Sequence, residues 1–187
     1  MTTSRVRVLF DEAAIARRNE EIARAVATAD MHDLLVVAVL KGSFMFAADL
    51  IRALHRAGLA PQVEFLHLSS YRAGTVSSGQ VAILRDVESE VRGRDVLLVD
   101  DILESGRTLA FAKDLLAARG AHRVLAAVLL EKRVPRQVDV AADFVGFACP
   151  DVFVVGYGMD VAHSYRQLPF VGVVAHNDSE PDLFGGT

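Results

Sequence analysis

Short uncharged runs alternate along this chain with stretches of helical periodicity. "LLVVAVL" (Leu34 to Leu40) is branched and carries no charge, as a strand buried on both faces should be. Before it, "DEAAIARRNEEIARAVATAD" opens on Asp11 with early acids and sets Ile15, Ile22 and Val26 on one face, which predicts an amphipathic helix. After it, "SFMFAADLIRALHRAG" predicts a second helix, with Ser43 as N-cap and Gly58 as the stop. "QVEFLHL" alternates and runs into the Ser/Gly-rich "SSYRAGTVSSG", and "VAIL" resumes strand character before "VRGRDVLLVDD". "RTLAFAKDLLAARG" is a further helix closed by Gly120, and "RVLAAVLL" a further buried strand. Strands alternating with helices predict an α/β fold built on a mainly parallel sheet with right-handed crossovers. In such sheets ligands collect at the carboxyl ends of the strands. Four places put chemically capable residues there: Lys41-Gly42, Asp100-Asp101, Lys132-Arg133 and Asp160.

Composition narrows this without redirecting it. The 187 residues suit one domain, 1–176, with 177–187, "NDSEPDLFGGT", expected to be a flexible tail. Hydrophobic residues make up 52% and charged residues 24%, an apolar lean that agrees with a buried sheet. A net charge of −4 argues against a broad nucleic-acid footprint, so no nucleic-acid partner is expected. No apolar run reaches membrane-spanning length and the N-terminus has no signal-like apolar region. No membrane partner is expected, and the expected location is cytoplasmic. The single cysteine, Cys149, excludes an internal disulfide. Its setting, "GFACPD", is apolar with no basic neighbour in sequence, which predicts an inert buried thiol.

The most specific stretch is "VLLVDDILESGRTL", Val96 to Leu109. Read as strand, turn and helix, it delivers Asp100 and Asp101 to the sheet's edge and then turns through Glu104, Ser105, Gly106, Arg107 and Thr108 into a helix. Unpaired N–H groups at the helix start, with the Ser105 and Thr108 hydroxyls, suit a phosphate monoester, and Gly106 permits close approach. Neither a GxxxxGK[ST] loop nor a GxGxxG fingerprint is present. Carboxylates beside a phosphate cradle make sense if the ligand also carries a vicinal diol, since carboxylates accept from hydroxyls. A metal ion bridging diol and diphosphate would reverse the local sign. A sugar with a 5-phosphate, a cis-diol and a pyrophosphate, 5-phosphoribosyl-1-pyrophosphate, meets every demand.

These residues resemble the signature of the type I phosphoribosyltransferases. Other stretches resemble the bacterial hypoxanthine-guanine members: "VLKGSFMFAADL", "SSYRAGTVSSG", "LLEKRVPR" and "FVGFACPDVFVVGYGMDVAHSYRQLPFVGVV". The resemblance runs in order through all but the tail. It implies that fold, with a small hood formed by the N-terminal segment and about 144–176. It implies transfer of the phosphoribosyl group to hypoxanthine and guanine, giving IMP or GMP in purine salvage. By the same resemblance Asp100 and Asp101 would hold the ribose hydroxyls, and residues Glu104, Ser105, Gly106, Arg107 and Thr108 the 5-phosphate. Lys41 and Gly42 would contact pyrophosphate after a cis Leu40–Lys41 peptide, with Arg166 clamping the leaving group. Asp160, with Asp100, would ligate Mg²⁺. Lys132 would donate to a 6-oxopurine, with Phe153 stacking on the base and Val154 reading its edge. Ser70 and Tyr71 would belong to a loop closing over the reaction. Homodimers or homotetramers are implied.

Glu104 departs from the pattern, because relatives usually carry aspartate at this general-base position. The reach grows by one methylene while the basicity changes little. Val161 and Arg72 are lesser departures. The histidines, His163 among them, show no metal-ligand spacing. Three rival readings remain: an RNA-binding regulator on the same fold, a phosphoribosyltransferase for xanthine or another base, and a pyrophosphokinase. The last usually needs a longer chain with an ATP site.

Overall fold

The computed structural model describes residues 6–70 and 81–174. The elements run β1 (Val6–Phe10), α1 (Glu12–Thr28), β2 (Leu35–Leu40), α2 (Phe44–Arg56), β3 (Gln62–Ser70), β4 (Val81–Arg85), β5 (Asp95–Leu103), α3 (Arg107–Ala118), β6 (Arg123–Lys132), β7 (Phe144–Cys149), β8 (Val154–Val155) and β9 (Val171–Val174). Six strands form the main sheet in the order β4-β3-β2-β5-β6-β7. Five run parallel, and β4 folds back antiparallel on β3 as an edge strand. The α/β fold with a mainly parallel sheet is therefore as the sequence predicts.

Each central strand is apolar on both sides because it is covered on both sides. Val36 and Ala38 of β2, with Leu97 and Val99 of β5, join Ile15, Ile22 and Val26 of α1 and Phe46, Leu50 and Leu54 of α2 in one core. The alternate residues Leu35, Val37, Leu98 and Val128 face Leu109, Ala112 and Leu116 of α3 in the other. This two-residue alternation is the pleat of a strand with helices on both faces. Tyr157 also binds α1 and α2 together, its hydroxyl accepting from Asn19 Nδ2 at 3.0 Å and donating to Asp49 Oδ2 at 2.5 Å.

Helix starts divide the expectations. Asp11 caps α1, its carboxylate accepting from the Ala14 amide at 2.7 Å. Ser43 does not cap α2. Its backbone is already helical, and its hydroxyl donates to the Val39 carbonyl at 2.5 Å. The serine instead bonds back to the end of β2, closing the turn that holds Lys41 and Gly42.

A second sheet, β1-β9-β8, is antiparallel and forms the hood. Its strands were not read from the hydrophobic pattern. β7 was not either, and it pairs in parallel with β6 in the main sheet. Within the expected hood stretch of about 144–176, the hood sheet thus draws only on β8 and β9.

Candidate active site

The carboxyl ends of β2 and β5 carry the chemistry. β5 presents Asp100, 5% exposed, and Asp101 beside it. Asp101 is pressed against the β2–α2 turn, where a Cβ built on Gly42 would lie 1.6 Å from Asp101 Oδ2. Only a glycine lets the two loops meet. The Leu40–Lys41 peptide is cis. Each aspartate folds back on the chain: Asp100 Oδ1 accepts from the Asp101 amide at 3.0 Å, and Asp101 Oδ1 from the Ile102 amide at 2.9 Å. Burial and then the neighbouring Asp101 charge push the Asp100 carboxyl well above the usual carboxylate range. Burial also raises Asp101, against the pull of hydrogen bonds and Arg166.

After β5 the chain turns into a helix, as the sequence predicts. Gly106 takes a left-handed φ of 81°, and a Cβ there would meet the Val138 carbonyl oxygen at 2.5 Å. α3 begins at Arg107. The turn is braced from behind, the Ser105 carbonyl accepting from the Gln137 and Val138 amides at 3.0 and 3.2 Å. Ser105 Oγ accepts from the Arg107 amide at a long 3.4 Å.

The hood supplies the opposite wall. Asp160 was expected at the carboxyl end of a parallel strand, but it sits in the loop between β8 and β9 and reaches the cleft from above. That loop bends through left-handed backbone at the non-glycine residues Tyr157, Ala162, His163 and Tyr165. Such conformations persist only where surroundings impose them, and they cluster at functional sites. Asp160 Oδ2 accepts from the His163 amide at 2.8 Å, and Asp160 Oδ1 pairs with Arg166 Nη2 at 2.6 Å. Arg166 also donates to the Gly158 carbonyl at 2.6 Å. A cleft of about 550 Å³ opens between the walls, lined by Lys41, Gly42, Asp101, Asp160 and Arg166 and by Phe153 and Val154. Phe153 is 61% exposed, so it is not the core residue that an aromatic beside a strand usually is. Val154 is buried.

Lys132, only 8% exposed, lies at the end of β6 with its ammonium 3.1 Å from Glu104 Oε2 and 3.7 Å from Asp151 Oδ1. Cys149 has no basic neighbour in sequence, but pairing of β6 with β7 sets Lys132 beside it. Lys132 lies close enough to pull its thiol down, but burial foremost, with Glu104 and Asp151, leaves it raised and inert. Ser70 ends β3, while Tyr71 lies outside the described residues. Sequence reasoning did not single out His67, Ser69 and Met159, which also line the cleft, or Asp151. None sits in a spacing pattern: β3 brings in His67 and Ser69, and the loops after β7 and β8 bring in Asp151 and Met159.

No group of three or more His, Cys, Asp or Glu residues poised for a metal occurs among the described residues. The donors present still fit magnesium. They are carboxylates at the cleft, and this ion binds through one or two of these, taking its other oxygens from substrate phosphates and water. No helix among the described residues is long and apolar enough to cross a membrane.

An acidic strand end, a glycine turn into a helix, and an antiparallel hood facing both define a phosphoribosyltransferase. The family model of the phosphoribosyl transferase domain matches residues 8–162. The hypoxanthine-guanine phosphoribosyltransferase of Bacillus subtilis is 42% identical over 170 residues, covering 90% of this chain and 92% of that protein. The hypoxanthine phosphoribosyltransferase of Escherichia coli K12 is 40% identical over 172 residues, covering 90% and 95%. The crystal structure of a Staphylococcus aureus hypoxanthine phosphoribosyltransferase superimposes with a TM-score of 0.84 at 37% identity, over 90% of this chain and 91% of that one. The chain also spans 26% of the length of the Listeria monocytogenes bifunctional protein TilS/HprT, at 43% identity. The protein belongs to the hypoxanthine-guanine phosphoribosyltransferase family.

Proposed function

We propose that the protein moves the phosphoribosyl group of 5-phosphoribosyl-1-pyrophosphate onto hypoxanthine and guanine, releasing pyrophosphate and the nucleoside 5-monophosphate. The observation that carries this reading is the joining of two half-sites along one strand end. Asp101 packs on the Gly42 turn, and a few residues later Glu104 reaches the buried ammonium of Lys132.

Asp100 and Asp101 accept from the ribose hydroxyls, exchanging their mutual repulsion for hydrogen bonds. The 5-phosphate lies on the turn from Glu104 to Thr108, against the amides at the start of α3. Pyrophosphate rests along the Lys41–Gly42 turn, with the guanidinium of Arg166 suited to grip it through two parallel N–H donors. Asp160, with Asp100, would hold Mg²⁺, which when bound neutralises charge on the leaving diphosphate. The base stacks on exposed Phe153, and the backbone at Val154 meets its edge. An ammonium can only donate, so Lys132 favours a 6-oxo group over the 6-amino group of adenine. As the bond from the anomeric carbon to pyrophosphate breaks, an imidazole nitrogen of the purine bonds to that carbon. Glu104 takes the proton that the ring gives up. Excluding water protects the cationic sugar from hydrolysis, the role we assign to the Ser70–Tyr71 loop. The reading includes a cytoplasmic location and an assembly of two or four copies.

The test is to incubate the protein with the sugar donor, magnesium and each of hypoxanthine, guanine, xanthine and adenine, and to follow nucleotide formation by absorbance. Hypoxanthine and guanine should react, adenine should not, and chelation should stop the reaction. Glu104→Gln should slow turnover by about 10²–10⁴-fold, the usual worth of a general base, with Glu104→Asp retaining more. Intact turnover in the Gln variant would remove Glu104 from its role. Salt-sensitive RNA binding without any transfer would favour the regulator instead.

A further inference from the structure

Lys132 raises a problem of charge that the proposed reaction does not solve by itself. Its ammonium is buried to 8% exposure and its nearest anion is Glu104, at 3.1 Å. In the proposed chemistry Glu104 turns to the purine ring and becomes neutral when it takes the proton. At that moment a cation held out of water would lose its counter-charge, and a buried charge without a partner is costly. A second anion is present. Asp151 Oδ1 stands 3.7 Å from Lys132 Nζ.

Its placement is built in by register. Lys132 is the β6 partner of Cys149 on β7, and the Arg133 amide donates to the Cys149 carbonyl at 3.2 Å. A tight turn follows, the Val152 amide donating to the Pro150 carbonyl at 2.9 Å. Asp151 sits in that turn, two residues from each of Cys149 and Phe153. The strand end that carries the lysine and the loop that carries the stacking aromatic are thus fixed to each other, with the aspartate between them. Asp151 is itself 70% exposed at its side chain, so it keeps its contact with water whatever Glu104 does.

We infer that Asp151 is a positioning residue for base recognition: it anchors the Lys132 ammonium at the purine pocket when Glu104 leaves that ammonium for the substrate. This rests on the roles given above to Lys132 and Glu104. Without Asp151, Glu104 is the only anion near Lys132 among the described residues, and the entering base must break that pair with nothing there to take Glu104's place. The penalty falls on purine binding and spares the sugar donor.

The test compares Asp151→Asn, Asp151→Glu and Lys132→Met with the unaltered protein, by steady-state kinetics with hypoxanthine and the sugar donor varied in turn. Asp151→Asn should raise KM for hypoxanthine about fivefold, the scale of one partly buried ion pair. KM for the sugar donor and the melting temperature should not move. Asp151→Glu should recover most of the loss. Unchanged hypoxanthine kinetics in Asp151→Asn, or an equal loss for both substrates, overturns the inference. Lys132→Met separates the two levels. If it impairs hypoxanthine use and Asp151→Asn does not, only the inference fails. If Lys132→Met is itself without effect, the reading of the pocket fails with it.

Discussion

Asp100 lies almost wholly out of water beside a second carboxylate, Asp101, and no cation among the described residues pairs with its oxygens. Burial and like charge both favour its protonated form, so the folded, ligand-free protein binds that proton more tightly than the unfolded chain does. The stability of the free protein should therefore rise as pH falls through this raised range, and stop gaining below the unfolded value of about 4. Asp100→Asn removes the charge while keeping nearly the same shape. It should raise the melting temperature of the free protein at neutral pH by about 2–4 °C, the shift that about 1 kcal/mol gives in a domain of this size. The same change should abolish tight binding of the sugar donor. A scanning melt, with and without donor, reads both effects. A fall in the melting temperature would mean that the ionised acid is stabilised by something other than ligand.

At the scale of elements, the two ends of β5 have opposite electrostatics. Its carboxyl end holds the strained acidic pair. At its other end Asp95 is equally buried, but it accepts from His122 Nδ1 at 2.7 Å, from Arg123 at 2.7 Å and from the His32 amide at 2.8 Å. Burial alone would raise this carboxyl, yet those partners bring it down to about 2. An acid held below its unfolded value stabilises above about 4 and loses that contribution as pH falls toward 2. Asp95→Asn should cost about 2 kcal/mol at pH 7 in denaturant unfolding, with the gap narrowing at pH 3. A constant gap would refute the linkage. The active end of this strand could be read from sequence because it is contiguous: Asp100 to Thr108 carries acids, glycine and hydroxyls in one run. The strands β2, β5 and β6 were legible for the same reason, being long and free of charge. The hood was not. β8 has two residues and β9 four, too few for a period to emerge, and β1 alternates Val6, Val8 and Phe10 against Arg7 and Leu9 with both kinds partly exposed. Ser43 misled because its hydroxyl has two possible acceptor and donor duties, and only the turn geometry selects between them. Lys132 beside Cys149 was invisible because their neighbourhood is a cross-strand register, not a sequence distance.

Over the whole molecule, the cleft lies between two separate sheets. The main sheet contributes Lys41 and Gly42 after β2 and Asp101 on β5, with Lys132 at the end of β6 beside them. The hood contributes Phe153, Val154, Asp160 and Arg166, and its sheet closes only when Val6 of β1 finds Val174 of β9. That pairing spans nearly all of the described chain, and contacts between distant residues are slow to form because a large loop must close first. During synthesis β1 must wait without a strand partner until β9 emerges. The acids and the phosphate turn can be assembled long before the clamp opposite them exists. In pulsed hydrogen exchange on refolding, the amides of β2 and β5 should gain protection ahead of those of β9. A newborn chain can therefore carry Asp100, Asp101 and the turn after them while the wall that holds Phe153, Asp160 and Arg166 is still missing.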